Sequence, residues 1–296
     1  KTYGCGEDIN KMWIQKGCRG LFDVSGSATT CGKSYGISNG RVSCSRGSLV
    51  KPSQRCKLML LTTFFTTKKD WQRGRLAKPS FAKIRTLYSS VLRLGLNMTV
   101  VYDDLPEEMV AQFANDQCKF QKVTLDDFDP KYGVNDVRFF IFERLLKAHL
   151  DWSYVFVVDG FDVRVRQNPC PTLRRGILYV GVETDKLVGH PWMRARFSKL
   201  GGKYNKWYKE LTDKKTKILN CGLTGGHREI MLELFSKMLS VLGDPGLAVR
   251  QKDEDINLNM AALNYIAYNF FKERLTYGAP IHSVYKKFQN KRTDVW

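Results

Sequence analysis

The chain has 296 residues, 43% hydrophobic and 26% charged, a balance that excludes wholesale disorder and permits a sizeable core. Its 48 Lys and Arg against 29 Asp and Glu leave a formal charge of +19, a field attractive to phosphates, acidic glycans, anionic headgroups or nucleic acid alike. No stretch approaches the roughly 20 apolar residues that span a bilayer, so no transmembrane segment is expected and the chain reads as soluble.

Residues 1–50 hold Cys5, Cys18, Cys31 and Cys44 amid Gly and Ser, with short β-like runs at residues 11–15 and 41–43. A segment this small buries little core, so a cysteine-rich β module stapled by disulfides is expected. With Cys56, Cys118, Cys170 and Cys221 the count is eight, and no Cys-x-x-Cys pair occurs. That spacing weakens a zinc reading and favours disulfides. It implies the lumen of the secretory pathway (Golgi or endoplasmic reticulum) or the extracellular space, with an upstream signal or anchor removed. Asn97-Met98-Thr99, an N-glycosylation sequon, agrees with that route.

Residues 48–55 are polar, carry Pro52 and read as a linker into a second domain, residues 56–296. There the pattern alternates. Residues 57–65 form an apolar, Thr-rich strand, 81–94 an amphipathic helix and 98–102 a second strand closed by Asp103-Asp104-Leu105-Pro106. A helix over 107–115 and a strand over 120–124 follow. Asn135 is placed to cap a helix over 136–149, with Phe140, Ile141, Leu145 and Leu146 facing a core. Residues 154–158 are apolar on both faces, as at the centre of a mostly parallel sheet. Strands over 177–182 and 217–219 and a helix over 228–242 complete the pattern. Strands separated by helices predict an α/β fold with a doubly wound, mostly parallel sheet.

The strand over 154–158 runs into Asp159-Gly160-Phe161-Asp162. Two carboxylates at the carboxyl edge of such a sheet stand where open α/β folds bind ligands, and hard oxygen donors suit Mg²⁺ or Mn²⁺. Downstream, Asn220-Cys221-Gly222-Leu223-Thr224-Gly225-Gly226 offers glycines for a tight turn or close approach of backbone to a ligand.

The run Val155 to Val163 resembles the metal-binding Asp-x-Asp-type motif of glycosyltransferases with the A-type, nucleotide-diphospho-sugar transferase fold, in the spelling Asp-x-x-Asp. The resemblance implies Asp162 as direct metal ligand, with Asp159 bonding the metal, a water or the nucleotide. Asn135 to Phe140 resembles the helix before that motif, which implies that Arg138 contacts a diphosphate or orients Asp159. Residues 219–226 are similar to the Asn-x-Gly-x-x-Gly-Gly segment that lines donor sugar and acceptor, implying roles for Asn220, Gly222, Gly225 and Gly226. Residues 251–259 resemble the acidic segment near the acceptor, implying Asp255 first and Glu254 next as the carboxylate that handles the acceptor hydroxyl. Residues 279–286 are similar to the terminal His and Lys of glycogenin-like members, implying His282 as a metal ligand and Lys286 as a charge on phosphate. Thr62 and Thr63 close the first strand, where the resembled fold binds nucleobase and ribose, and Lys68, Lys69, Arg73 and Arg75 follow. The stretch Trp13 to Phe22 resembles small cysteine-containing β modules attached to extracellular enzymes and lectins.

The implied activity is transfer of a sugar, with a UDP-sugar as the expected donor, to a glycan or glycoprotein acceptor of acidic character, with Mn²⁺ or Mg²⁺ as cofactor. The alternative is a non-catalytic protein on the same fold that binds acidic glycans. Trp71, Trp192 and Trp207, expected in loops, suit stacking on sugar faces in either case. Dispersed basic residues without a nucleic-acid-binding signature argue against nucleic acid as partner. A nucleotidyltransferase on a related fold lacks its Gly-rich loop near the first strand.

Overall fold

A computed structural model of the chain describes residues 56–70, 73–247 and 257–287, together with the backbone of six strands between residues 3 and 45. Two compact units divide the chain, Lys1–Arg55 and Cys56–Trp296. In the first, β1 (Tyr3–Cys5), β2 (Lys11–Gln15), β6 (Arg41–Ser45) and β5 (Ile37–Ser38) form an antiparallel sheet in that order. Beside them in sequence, β3 (Gly20–Val24) and β4 (Ser27–Cys31) pair antiparallel with each other. The expected linker, residues 48–55, lies outside the described residues.

The second unit is an α/β domain. Its chain order is β7 (Leu58–Phe64), α1 (Arg85–Arg93), β8 (Asn97–Tyr102), α2 (Glu107–Phe113), β9 (Cys118–Lys122), α3 (Val134–Ala148), β10 (Tyr154–Val158) and β11 (Val163–Val165). Then come β12 (Leu178–Lys186), α4 (Pro191–Leu200), α5 (Gly202–Glu210), β13 (Lys217–His227), α6 (Arg228–Leu242), α7 (Asn259–Phe270), β14 (Leu275–Tyr277), α8 (Ile281–Val284) and β15 (Tyr285–Lys287). Seven strands make one mixed sheet in the order β14-β12-β13-β10-β7-β8-β9. All its pairings are parallel except the two made by β13, with β12 and with β10.

Both faces of the sheet are covered at its centre, where β10 is apolar at every position and β7 is apolar through Leu61. Along β10, Val155 and Val157 join one core with α3, α6 and α7, while Phe156 and Val158 join another that holds Leu87 and Val91 of α1, Met109 of α2 and Ile281 of α8. The period of two splits Leu60 from Leu61 and Tyr179 from Val180 in the same way.

From β7 the chain steps outward through β8 to β9, then returns to lay β10 on the other side of β7. The carboxyl ends of β7 and β10 thus flank a topological switch point, the position at which open α/β sheets hold ligands.

Several elements differ from the sequence reading. The glycine-rich stretch after residue 219, read as a ligand-lining loop or a tight turn, is the interior of β13, and its glycines have no positive φ. Trp192 and Trp207, expected in loops, lie in α4 and α5, half-buried against the core; Trp71 lies outside the described residues. Helix α3 starts one residue before Asn135, with Gly133 at its N-cap and no side-chain cap.

Candidate functional site

Asp159 follows directly on β10, and its backbone N–H donates to the Gly222 carbonyl at 2.8 Å, extending the β10–β13 ladder past the strand end. Its carboxylate lies flat against Gly222, where a Cβ would stand 1.9 Å from Asp159 Oδ2. Gly222 therefore makes room for the carboxylate itself. From the other side, Arg138 of α3 donates from Nη1 to Asp159 Oδ1 at 2.8 Å. Arg138 is buried; burial pulls its pKa down, but Asp159, Cys221 and Asp136 outweigh it and hold the guanidinium charged.

Asp136, two residues earlier on α3, is fully buried and accepts from the N–H groups of Leu258 and Asn259 and from Asn259 Nδ2, the last two at 2.8 Å. It fastens the start of α7 to α3. Burial pushes its carboxyl up to about 6, against the pull of those bonds and of Arg138. Sequence reasoning missed this residue, although an acid in the first turn of the helix, beside Arg138, is the kind of signal that marks a buried anchor.

On the β12 side, Asn220 Nδ2 donates to the Glu183 carboxylate, and Asn220 Oδ1 accepts from Gly222 N–H at 2.7 Å. Asn264 of α7 fixes this part of β13 by pairing with both backbone groups of Leu219, at 2.9 and 3.0 Å. Glu183 also went unnoticed in the sequence, because the strand was expected to end at residue 182. One residue earlier, Val182 N–H donates to His282 Nε2 at 3.1 Å. Burial lowers the His282 pKa to about 4, so the imidazole is neutral at physiological pH. A continuous line of contacts therefore joins Arg138, Asp159, Gly222, Asn220, Glu183, Val182 and His282 along the carboxyl edge of the sheet.

Asp162 is half-buried in the turn after Asp159. Between the two acids, Phe161 packs edge-on against Phe64 of β7 at 5.1 Å, with the Arg73 guanidinium 5.3 Å over its ring. The same turn presses on β7, since a Cβ at Gly160 would stand 2.8 Å from Thr62 Oγ1. The Thr62 hydroxyl is thus buried beneath the turn, with no hydrogen-bond partner among the described residues, and Thr63 is half-buried beside it. Beyond β7, Asp103 at the end of β8 accepts from Thr66 N–H at 2.8 Å, Thr67 N–H at 2.9 Å and the Thr67 hydroxyl at 2.6 Å. Burial alone would raise its pKa, but the bonds from Thr67 and Thr66 hold it below the usual carboxylate range. Asp103 locks the loop that leaves the switch point. Lys68 in that loop donates to the Leu125 carbonyl at 3.0 Å.

Gly225 and Gly226 stand deeper in the sheet, paired with Phe156 and Val155. A Cβ at Gly225 would meet the Phe156 ring at 2.2 Å, and one at Gly226 would meet the Ile177 carbonyl at 2.7 Å. Their lack of side chains admits neighbouring protein groups. Lys286 pairs with Arg164 in the β11–β15 ribbon. Glu254 and Asp255 lie outside the described residues, just before α7.

Among the described residues, no three His, Cys, Asp or Glu side chains are gathered closely enough to hold a metal ion by themselves. No protein-family model matches the chain, and no curated protein is significantly similar to it in sequence.

Proposed function

We propose that the Cys56–Trp296 unit is a nucleotide-sugar-dependent glycosyltransferase with the A-type fold, acting on a glycan or glycoprotein acceptor in the secretory lumen or outside the cell. The observation that carries this reading is the carboxylate of Asp159, set at the switch point of the sheet, held by a buried arginine and backed by a glycine that yields its side-chain space. A carboxylate so placed is preorganised to receive a ribose hydroxyl or a bridging water, while the basic residues that follow β7 attract the diphosphate.

The donor set also suits Mg²⁺ or Mn²⁺: Asp162 offers oxygen, and the neutral His282 imidazole would bind through Nε2 on giving up the hydrogen bond from Val182 N–H, since Nδ1 carries its proton while Nε2 accepts. The small number of protein ligands fits cations that take one or two carboxylates and complete their shell with phosphate oxygens and water. Bound there, the ion would neutralise charge on the departing nucleotide diphosphate. Asn220 and Glu183, paired with each other beside Gly222, are placed to orient sugar hydroxyls. Glu254 or Asp255, preceding α7, would take the acceptor proton, with Asp136 fixing the start of that helix.

Titration calorimetry with UDP-sugars and other nucleotide sugars, with and without Mn²⁺, tests the reading. Saturable binding that depends on the ion is expected, and Asp162→Ala should cut transfer or donor hydrolysis on the order of 100-fold. Unchanged metal-dependent activity in that variant would remove the site assignment. The +19 charge favours one alternative, a non-catalytic protein that binds acidic glycans. Tight, salt-sensitive glycan binding without affinity for any nucleotide sugar would establish it instead.

A further inference from the structure

We propose that Asn97 carries an N-linked glycan, and that this glycan occupies a groove on the face of the sheet beside α3. The inference rests on the secretory route proposed above and is independent of the donor chemistry.

Asn97-Met98-Thr99 is the only Asn-x-Ser/Thr triplet in the chain with a permitted middle residue. Asn97 opens β8 and is exposed, whereas Met98 is fully buried in the core with Leu87 and Val91. By the period of two, Asn97 and Thr99 share the opposite face. There α3 covers β7, β10 and, through Val101, the far part of β8, but the edge strand β9 is left open, so that Lys119 and Gln121 stand in solvent beside Asn97.

The result is a groove of about 420 Å³ whose lining includes Asn97 itself, Thr99, Met59, Lys119, Leu145 and Trp152. One end is closed by the rings of His149 and Trp152, stacked with centroids 4.2 Å apart. Leu150 between them is 79% exposed, so apolar surface is left uncovered at this end. A floor of amide, hydroxyl and ammonium groups with an aromatic and aliphatic wall suits a sugar, which presents hydroxyls at its rim and C–H groups on its face. The occupant is tethered where it is needed, because its attachment atom lines the groove. Asn97 lies at the amino end of β8, opposite the edge that carries Asp103 and Asp159, so the glycan leaves the candidate site open.

The compartment supplies the chemistry. A disulfide joins Cys56 and Cys170, as in chains folded under oxidising conditions. Attachment forms a bond from Asn97 Nδ2 to the anomeric carbon of a lipid-diphosphate-linked oligosaccharide. The bond from that carbon to the diphosphate oxygen breaks, and the amide proton leaves with the released lipid diphosphate.

The test is translation of the full chain behind a cleavable signal sequence in the presence of microsomes. The protease-protected chain should shift once in mobility and revert on endoglycosidase treatment. Asn97→Gln and Asn97→Asp should abolish the shift, and Thr99→Ser, which keeps the hydroxyl, should retain it. A protected chain without the shift would overturn the modification, whatever nucleotide-sugar binding shows. Seating in the groove is read separately by hydrogen exchange on the purified glycoprotein. Amides of Cys118–Lys122 and of the last turn of α3 should exchange more slowly before enzymatic removal of the glycan than after it. Equal exchange would mean that the glycan extends into solvent, and the groove assignment would fall.

Discussion

Two buried ionisable groups, Asp136 and Arg138, and the half-buried Asp159 share one corner of the second unit, and their charges decide its behaviour. Truncating Arg138 to Ala removes the cation that pairs with the Asp159 carboxylate and acts on Asp136, which should cost about 3 kcal/mol. Adding Asp159→Ala to that variant should recover part of the loss, as a double-mutant cycle in urea would show. The same corner predicts a pH dependence. Burial raises Asp136 from 3.8 to about 6, so the folded state holds its proton more tightly than the unfolded chain. Stability from this group is present below 3.8 and falls as pH rises towards 6, by roughly 3 kcal/mol in all. His282 acts in the opposite sense. Its pKa is lowered from 6.5 to about 4, so its contribution is present above 6.5 and is lost as pH falls towards 4. The two slopes oppose each other across nearly the same window. Asp136→Asn, which keeps an oxygen acceptor for the Leu258 and Asn259 amides, should unmask the acid sensitivity, and His282→Gln should unmask the gain in stability on acidification. Melting temperatures between pH 4 and 7 in the presence of chelator distinguish these outcomes; parallel curves for wild type and both variants would contradict them.

At the scale of elements, β13 shows what glycine does here. It runs for eleven residues between β10 and β12, reversing the direction of its neighbours. Gly225 exists for the Phe156 ring, so Gly225→Ala should cost about 1–3 kcal/mol by overpacking. Phe156→Leu, placed in the same chain, should return part of it, and denaturant midpoints of the four proteins measure the coupling. This element also shows where sequence reasoning stops. A Gly-rich run signals a turn when only local chain chemistry is weighed, and the ring that fills the vacated space comes from a strand 69 residues away in register, Phe156 opposite Gly225. Strongly periodic pieces were legible: α6 spans Arg228–Leu242 as expected, and β10 spans Tyr154–Val158, because both carry their burial in their own pattern. Helices α4 and α5 were hidden by Pro191, by the Gly201-Gly202 pair between them and by many lysines, although their buried Met193, Phe197, Tyr204 and Tyr208 settle the conformation through packing. In the candidate site, Asp159 was readable from its place at the end of a buried strand, while Arg138, Gly222 and Asn220 were implied by the resemblance, and the four form a line of contacts; Glu183, Asp103 and Asp136 were not read, since each matters through a partner far along the chain.

For the molecule as a whole, a covalent tie joins Cys56 to Cys170 across a separation of 114 residues. It fastens the entrance of β7 to the segment after β11. Loop closure of that length removes much freedom from the unfolded chain, and losing the bridge should cost about 2–5 kcal/mol. Cys118 does not offer a rival pairing: it is buried in the core and its thiol is pushed up to about 12 by burial, so little thiolate forms to attack the bridge. Cys56→Ser and Cys170→Ser should therefore melt earlier by the same amount as each other and as the double variant, because each removes one and the same bond. Unequal single variants, or a double variant that loses the sum, would show that the two sulfurs act separately. Peptide mapping under non-reducing conditions supplies the covalent check, with the fragments that carry Cys56 and Cys170 expected to travel together until reductant is added.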